Sequence, residues 1–440
     1  MTTIESPHRV EDRISELYSM LDGHTLNGNS AALKNLRKKA IEAFAAQGLP
    51  TRKTEAWKYT PVEKKLSVDH TVYHENRPLP LSKEEAHAFL VPGIDAYLAV
   101  TVNGKYIAEL SNIEGLPNGT VFTPIDQASG SLGDLLVSRL DTQSDSSKSP
   151  FVALNTAFLK DGLVLHVPAK VHVDKPIYVL HLFDTDAHTI VQPRMLCVAE
   201  RESEVTLIEQ YVSLNEASHF INVVSEWAVS QQATFKHYQI QDLNTASTAV
   251  FNQYAYQEQH SYFATHTSTL KGGLIRNNLE IVPDAEECES HLLGFLLGSG
   301  TMHVDNHTLV DHKKPNCFSN ELYKNILDDQ STGVFNGKVF VHQDAQKINA
   351  YQSNKSITLT NKARMYSKPE LEIYADDVRC SHGATTGQLD AEALFYLRSR
   401  GLSQKQARSI LLKAFAHDVI DAIEFEPLRD YVDSRLLESL

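Results

Sequence analysis

Lys338-Val-Phe-Val341, Ile348-Asn-Ala-Tyr351, Ile357-Thr-Leu359 and Leu371-Glu-Ile-Tyr374 are four short apolar-rich runs that begin about every ten residues. Runs of this length and spacing, separated by polar residues, predict strands in a sandwich, a barrel or a solenoid. Similar runs lie upstream at Leu163-Val-Leu-His-Val167, Ile177-Tyr-Val-Leu-His-Leu-Phe183, Val205-Thr-Leu-Ile208 and Ile221-Asn-Val-Val224. A stretch this long without a convincing helix exceeds one sandwich. Stacked coils, each covering its neighbour's exposed face, grow without that limit, so a β-solenoid is the expected core. No strict repeat is visible, and the reading rests on length and strand density. The polar run 141–149, Asp-Thr-Gln-Ser-Asp-Ser-Ser-Lys-Ser, predicts a mobile loop.

Outward from this core the pattern changes twice, giving three expected units: 1–94 helical, 95–385 β-rich and 386–440 helical. In the first, Asn29 or Ser30 is placed to cap a helix carrying Leu33, Leu36, Ala40, Ile41 and Phe44 on one stripe. Gly48 and Pro50 stop it. Lys34, Arg37, Lys38 and Lys39 read as its solvated face. In the last unit Leu394, Phe395, Tyr396 and Leu397 give an apolar face, and Gly401 ends the helix. Ser403 and Gln406 have capping-box spacing ahead of Ile410, Leu411, Ala414, Phe415 and Val419. The expected αα-hairpin either caps the solenoid end or docks a partner, or does both.

The chain has 440 residues and a net charge of −14. That charge disfavours nucleic acid and anionic membranes, whose binding needs a basic face. The first residues show no secretory pattern. The longest apolar run, Leu292–Leu297, is too short to span a bilayer. The four cysteines, Cys197, Cys288, Cys317 and Cys380, are widely spaced, so a reducing cytoplasm is the expected setting. Phosphate-binding and dinucleotide-binding glycine motifs and a nucleophile elbow are absent, so no nucleotide chemistry is expected of this chain.

Two clusters carry chemistry. In a strand, His303, Asp305 and His307 line one face, a pattern that fits a metal site, a polar ladder on an exposed solenoid face or a subunit contact. Cys197 reads as core, Cys288 as exposed and Cys317 as a loop thiol without a role. Cys380 and His382 differ from these. Two residues apart on a strand, they share a face at ~6.6 Å, and a thiolate with an imidazole suits a transition metal or an iron–sulfur fragment. Two ligands do not hold a centre that wants four, so the remainder must come from elsewhere in the chain or from another chain. A buried cysteine beside a hydrogen-bonded histidine is the alternative.

The run Asp377-Val-Arg-Cys-Ser-His-Gly-Ala-Thr-Thr-Gly-Gln-Leu-Asp390, followed by Phe395-Tyr-Leu-Arg-Ser-Arg-Gly401, closely resembles the SufD family of the Suf iron–sulfur cluster assembly system. The block Pro50-Thr-Arg-Lys-Thr-Glu-Ala-Trp-Lys-Tyr-Thr-Pro61 does so too. The likeness spans essentially the whole chain and is weakest in the middle. The paralogous SufB proteins carry an acidic residue near the position of Ser381, which favours SufD. The resemblance implies a mainly β fold: a right-handed parallel β-helix flanked by N- and C-terminal α-helical subdomains. It implies a non-catalytic scaffold that pairs with SufB, docks the ATPase SufC on its C-terminal helices, and pairs with itself when isolated. The docking face would comprise Leu394, Phe395, Leu397, Ile410, Leu411 and Phe415. A transient iron–sulfur cluster or iron would sit at the SufB interface, with His382 as the metal ligand and Cys380 as its neighbour. The rival from another class is a β-solenoid enzyme acting on carbohydrate, with Asp305 and Asp311 as its acidic pair.

Overall fold

The structure is a computed structural model that describes residues 10–22, 31–66, 70–72 and 81–438. The expected cap of the second helix, Asn29 or Ser30, lies outside the described residues. Most of the chain forms a parallel β-solenoid. Among the described residues one sheet has eleven strands and the facing sheet ten. From Glu204 onward each coil gives one strand to each sheet in turn. Thr248, Leu274, His303, Thr332 and Arg364 stand one above another in a single column.

These strands are covered on both faces over much of their length, so they read as mixed runs rather than as clean alternation. Inside, rows of like side chains stack from coil to coil. Trp227, Phe235 and Phe263 form one aromatic row, with ring centroids 5.5–6.0 Å apart. Polar rows lie beside it. Gln241 donates to Asn277 and Asn277 to Asn306, each at 2.8 Å. The coil length is what repeats, while each row changes between apolar and polar along the stack. That is why no strict sequence repeat is visible.

The helices lie on the flanks. The Ala31–Gln47 helix packs on the Pro150–Ala157 helix, and both cover the outer face of the eleven-stranded sheet through Ile190, Phe220 and Val250. Three expectations are corrected here. The middle region does contain helices, Gly130–Arg139 and Pro150–Ala157, the latter started by Pro150 and capped by Ser149. The 141–149 segment is not a free loop. Ser144 and Ser146 are buried, Ser144 bonds Glu226 at 3.0 Å, and Glu226 is ion-paired with buried Arg194. Arg37 does not belong to the solvated face. It is buried, and its Nε donates to the Leu159 carbonyl at 2.6 Å.

At the C-terminus the capping box at Ser403 and Gln406 is formed. A third helix, Glu426–Glu438, follows the expected pair. The Gln404–Ile420 helix buries Ala407, Leu412, Ala416, Val419 and Ile420, so of the expected stripe only Val419 is fully buried. It packs across the outer face of the ten-stranded sheet, against the Glu289–Gly298 and Phe318–Leu327 strands. Lys324–Asp418 at 3.0 Å and Arg435–Asp242 at 2.6 Å fasten the helices to that flank. They therefore do not cap the end of the solenoid. Among the described residues its last two strands, Arg364–Ile373 and Val378–Gly387, each pair on one side only.

Candidate functional site

The open end sets the geometry of the site. Val378–Gly387 runs parallel to Ile348–Thr358, with Ala350 opposite Cys380 and Gln352 opposite His382. Ala350, Gln352 and Asn354 are buried and point into the solenoid. Side chains alternate along a strand, so Cys380 and His382 belong to the same inward-facing row. This is the shared face that their spacing predicts. Cys380 is half-buried against the cluster that holds Ala350 and Val341, and burial raises its thiol above the ordinary range. His382 is exposed because no coil follows it. One soft thiol and one exposed imidazole thus sit on an edge strand that is paired on one side only.

Behind His382 lies a group that sequence reading missed. Glu321 is buried inside the solenoid, accepting from Thr308 Oγ1 at 2.5 Å and from Gln352 Nε2 at 2.7 Å. Burial outweighs both bonds and pushes its carboxyl up to about 7. Gly337, on the facing sheet, makes room for this: a Cβ there would meet Gln352 Nε2 at 2.3 Å. A glutamate in a strand reads as outward-facing. Only the even–odd register of the final coils would have placed it inside.

The His303–His312 cluster is a covered surface. His303, Asp305 and His307 do share one outward face, and the Pro50–Pro61 block lies over it. Thr60 Oγ1 bonds both His303, at 3.0 Å, and Asp305. Arg276 Nη1 donates to Asp305 at 2.6 Å while its guanidinium lies 4.4 Å from the Trp57 ring. Tyr59 stacks on Tyr366 at 4.4 Å. A cleft of about 770 Å³ beside this block is lined by Arg52, Lys58, His307 and Lys368.

Among the described residues no three His, Cys, Asp or Glu side chains converge to hold a metal ion. Asp305 is committed to Arg276, Thr60 and His307, which removes the metal reading of this cluster. The acidic pair named for the carbohydrate reading does not form either. Asp311 is tied to His342 at 2.8 Å, six residues from Asp305 along one strand. That is about 20 Å at ~3.3 Å per residue, against roughly 5–9.5 Å for a working acid pair.

Contrary to expectation Cys288 is not exposed, while Cys317 does lie in a loop, between the His303–His312 and Phe318–Leu327 strands. Both are buried on neighbouring coils, and each donates to the Ala285 carbonyl at 3.2 Å. Cys197 is core, as its apolar setting implies.

Residues 181–415 match the family model described as SUF system FeS cluster assembly, SufBD core domain. Residues 8–179 match that of the SufBD protein N-terminal region. The chain belongs to the SufBD family. A SufBD family protein of Synechocystis, named for iron–sulfur cluster assembly, is 32% identical over 94% of this chain and 93% of its own. The iron–sulfur cluster assembly protein SufD of Escherichia coli is 30% identical over 91% of both chains. SufD of Bacillus subtilis is 26% identical over 91% of this chain and 92% of its own. The Pro50–Pro61 block that carries part of the resemblance packs against the Arg364–Ile373 strand: Tyr59 stacks on Tyr366, and Lys368 donates to Glu55 at 3.0 Å.

Proposed function

We propose that this chain is a scaffold subunit of iron–sulfur cluster assembly that supplies half of a site and no chemistry of its own. A SufB paralogue covers the open end of the solenoid and provides the remaining ligands. His382 binds iron or nascent cluster, or moves a proton beside it, and Cys380 is the supporting thiol. The ATPase SufC docks on the C-terminal helices, and copies of the isolated chain pair through the same open end. Four free cysteines fit a reducing cytoplasm.

The observation that carries this reading is the position of His382: an inward-facing residue left exposed because the coil that would cover it is missing. The free edge of a parallel strand is a template for another chain. The Val378–Gly387 and Arg364–Ile373 strands present two such edges side by side. A sister solenoid set against them would enclose His382 and Cys380 and complete a coordination sphere that two residues leave short. The names of the Synechocystis, E. coli and B. subtilis relatives support the process.

The test is cluster build-up on the complex reconstituted with the SufB paralogue and the ATPase. His382→Ala is expected to abolish most of it while the complex still assembles. Undiminished build-up would remove the role of His382.

A further inference from the structure

We infer that Gln352, held in place by Glu321, is a positioning residue that fixes the orientation of the His382 imidazole. This rests on the reading of His382 as a ligand or acid–base group and adds the residues that make it one orientation rather than many.

Gln352 is 3% exposed and stands directly opposite His382 in the strand register. Its amide is used on one side only. Nε2 donates to Glu321 Oε2 at 2.7 Å, whereas Oε1 is buried and has no hydrogen-bond partner. A buried amide oxygen left unpaired is unfavourable, and native interiors rarely keep one. Neighbouring parallel strands lie ~4.8 Å apart, so the side chain one rung beyond Gln352 is within reach of that oxygen. That side chain is His382, whose ring carries an N–H donor in either neutral tautomer.

The amide cannot turn away. Glu321 grips its nitrogen, and the space it fills exists because residue 337 lacks a Cβ. Glu321 is itself fixed from its other oxygen by Thr308. The row Thr308, Glu321, Gln352, His382 therefore runs from the interior to the open rung. An N–H of His382 on Gln352 Oε1 selects the tautomer and turns the other ring nitrogen, with its lone pair, toward the covering chain. Ligand histidines are commonly set in this way by a hydrogen bond at the second nitrogen.

The experiment uses the full chain with ¹⁵N-labelled histidine, the His382 signals being assigned by their loss in His382→Gln. The wild-type chain is expected to show the ¹⁵N pattern of one fixed tautomer. Gln352→Met, which keeps the volume and removes the amide, is expected to relax it to the ordinary mixture. In the reconstituted complex the same variant is expected to lower cluster build-up about ten-fold or more.

A swapped pair, Glu321→Gln with Gln352→Glu, keeps an amide–carboxyl bond inside and still offers His382 an acceptor oxygen. It is expected to keep the fixed tautomer, and it decides the matter where Gln352→Met does not fold. Identical His382 signals in wild type and Gln352→Met, or a free mixture in the swapped pair, overturn the inference. So does full build-up in folded Gln352→Met. If His382→Ala leaves build-up intact, it is the ligand role that falls, and the imidazole signals still decide the pairing.

Discussion

Arg276 Nη1 lies 2.6 Å from Asp305 Oδ2, with both side chains almost wholly out of water. They stand on neighbouring strands of the eleven-stranded sheet under the Trp57 block. Burial opposes the Asp305 charge, but Arg276, His307 and Thr60 together outweigh it and hold the carboxyl far below the ordinary range. Removing one partner of such a pair leaves an uncompensated buried charge, which costs about 3–5 kcal/mol. Asp305→Asn should lose that much stability in denaturant titrations at pH 7. Replacing both partners with apolar residues should cost less than the sum of the two single changes. The sign with pH follows from the depressed value. The contribution is full above ~3.9, the ordinary aspartate value, and is lost as pH falls toward the lower folded one. The gap between wild type and Asp305→Asn should therefore narrow below about pH 4.

Glu321 has the opposite sign. Its folded value, about 7, lies above the ordinary 4.5, so the native state prefers it protonated. Below pH 4.5 it imposes no penalty. The penalty grows as pH rises toward 7 and is constant above, reaching about 3 kcal/mol at ~1.4 kcal/mol per unit. Glu321→Gln removes the ionisable group and keeps a hydrogen-bonding side chain. Its stability relative to wild type should rise between about pH 5 and 7 and level off above. A flat difference across that range would mean that the carboxyl is ionised throughout.

Gly337→Ala tests the packing around the same row. The added methyl would sit 2.3 Å from Gln352 Nε2 and 2.7 Å from the Phe335 ring. The amide is the more movable of the two, so it should be expelled, breaking its bond to Glu321. Overpacking costs about 1–3 kcal/mol, and the stranded carboxyl adds to that. Thermal unfolding should show the loss. Gly383→Ala, on the open strand with nothing within 4 Å of the new methyl, should be close to neutral.

What the sequence showed, and what it hid, has a physical pattern. Cys380 and His382 were legible because the period of two along a strand is a local rule, and the structure places them on one face as that rule requires. The solenoid was legible from strand density, since stacking is the one arrangement that serves so many strands in series. Burial by a distant segment was not legible. Asp305, Arg37, Cys288 and Ser144 all looked solvated in their local runs. They are covered by segments 27 to 245 residues away in the chain. Glu321 was hidden for the same reason, because its partner Gln352 is 31 residues on. Helix faces misled in a related way. The Gln404–Ile420 stripe is set by the sheet it covers, so the seam fell on Ala407, Leu412 and Ala416, and Ile410 faces outward.

That displaced seam sorts the proposed docking residues. The Ala391–Ser399 helix buries none of its side chains, and Phe395 is 74% exposed, with Ile410 at 45%. Leu394, Leu397, Leu411 and Phe415 are half-buried, Phe415 lying under the Lys324 ammonium at 4.8 Å. A large aromatic left in water on a helix that packs on little of its own chain is costly unless another protein covers it. Phe395→Ala should change folding stability by no more than about 0.5 kcal/mol, as an exposed substitution does. If SufC docks there, the same change removes an aromatic anchor and should weaken ATPase binding about ten-fold or more. Leu412→Ala should behave in reverse. It empties a buried position between helix and sheet, costs about 2–5 kcal/mol, and reduces binding only as far as the helix comes loose. Calorimetric titration of the ATPase into the two folded variants separates the cases. Equal binding by Phe395→Ala and wild type would move the dock away from this helix.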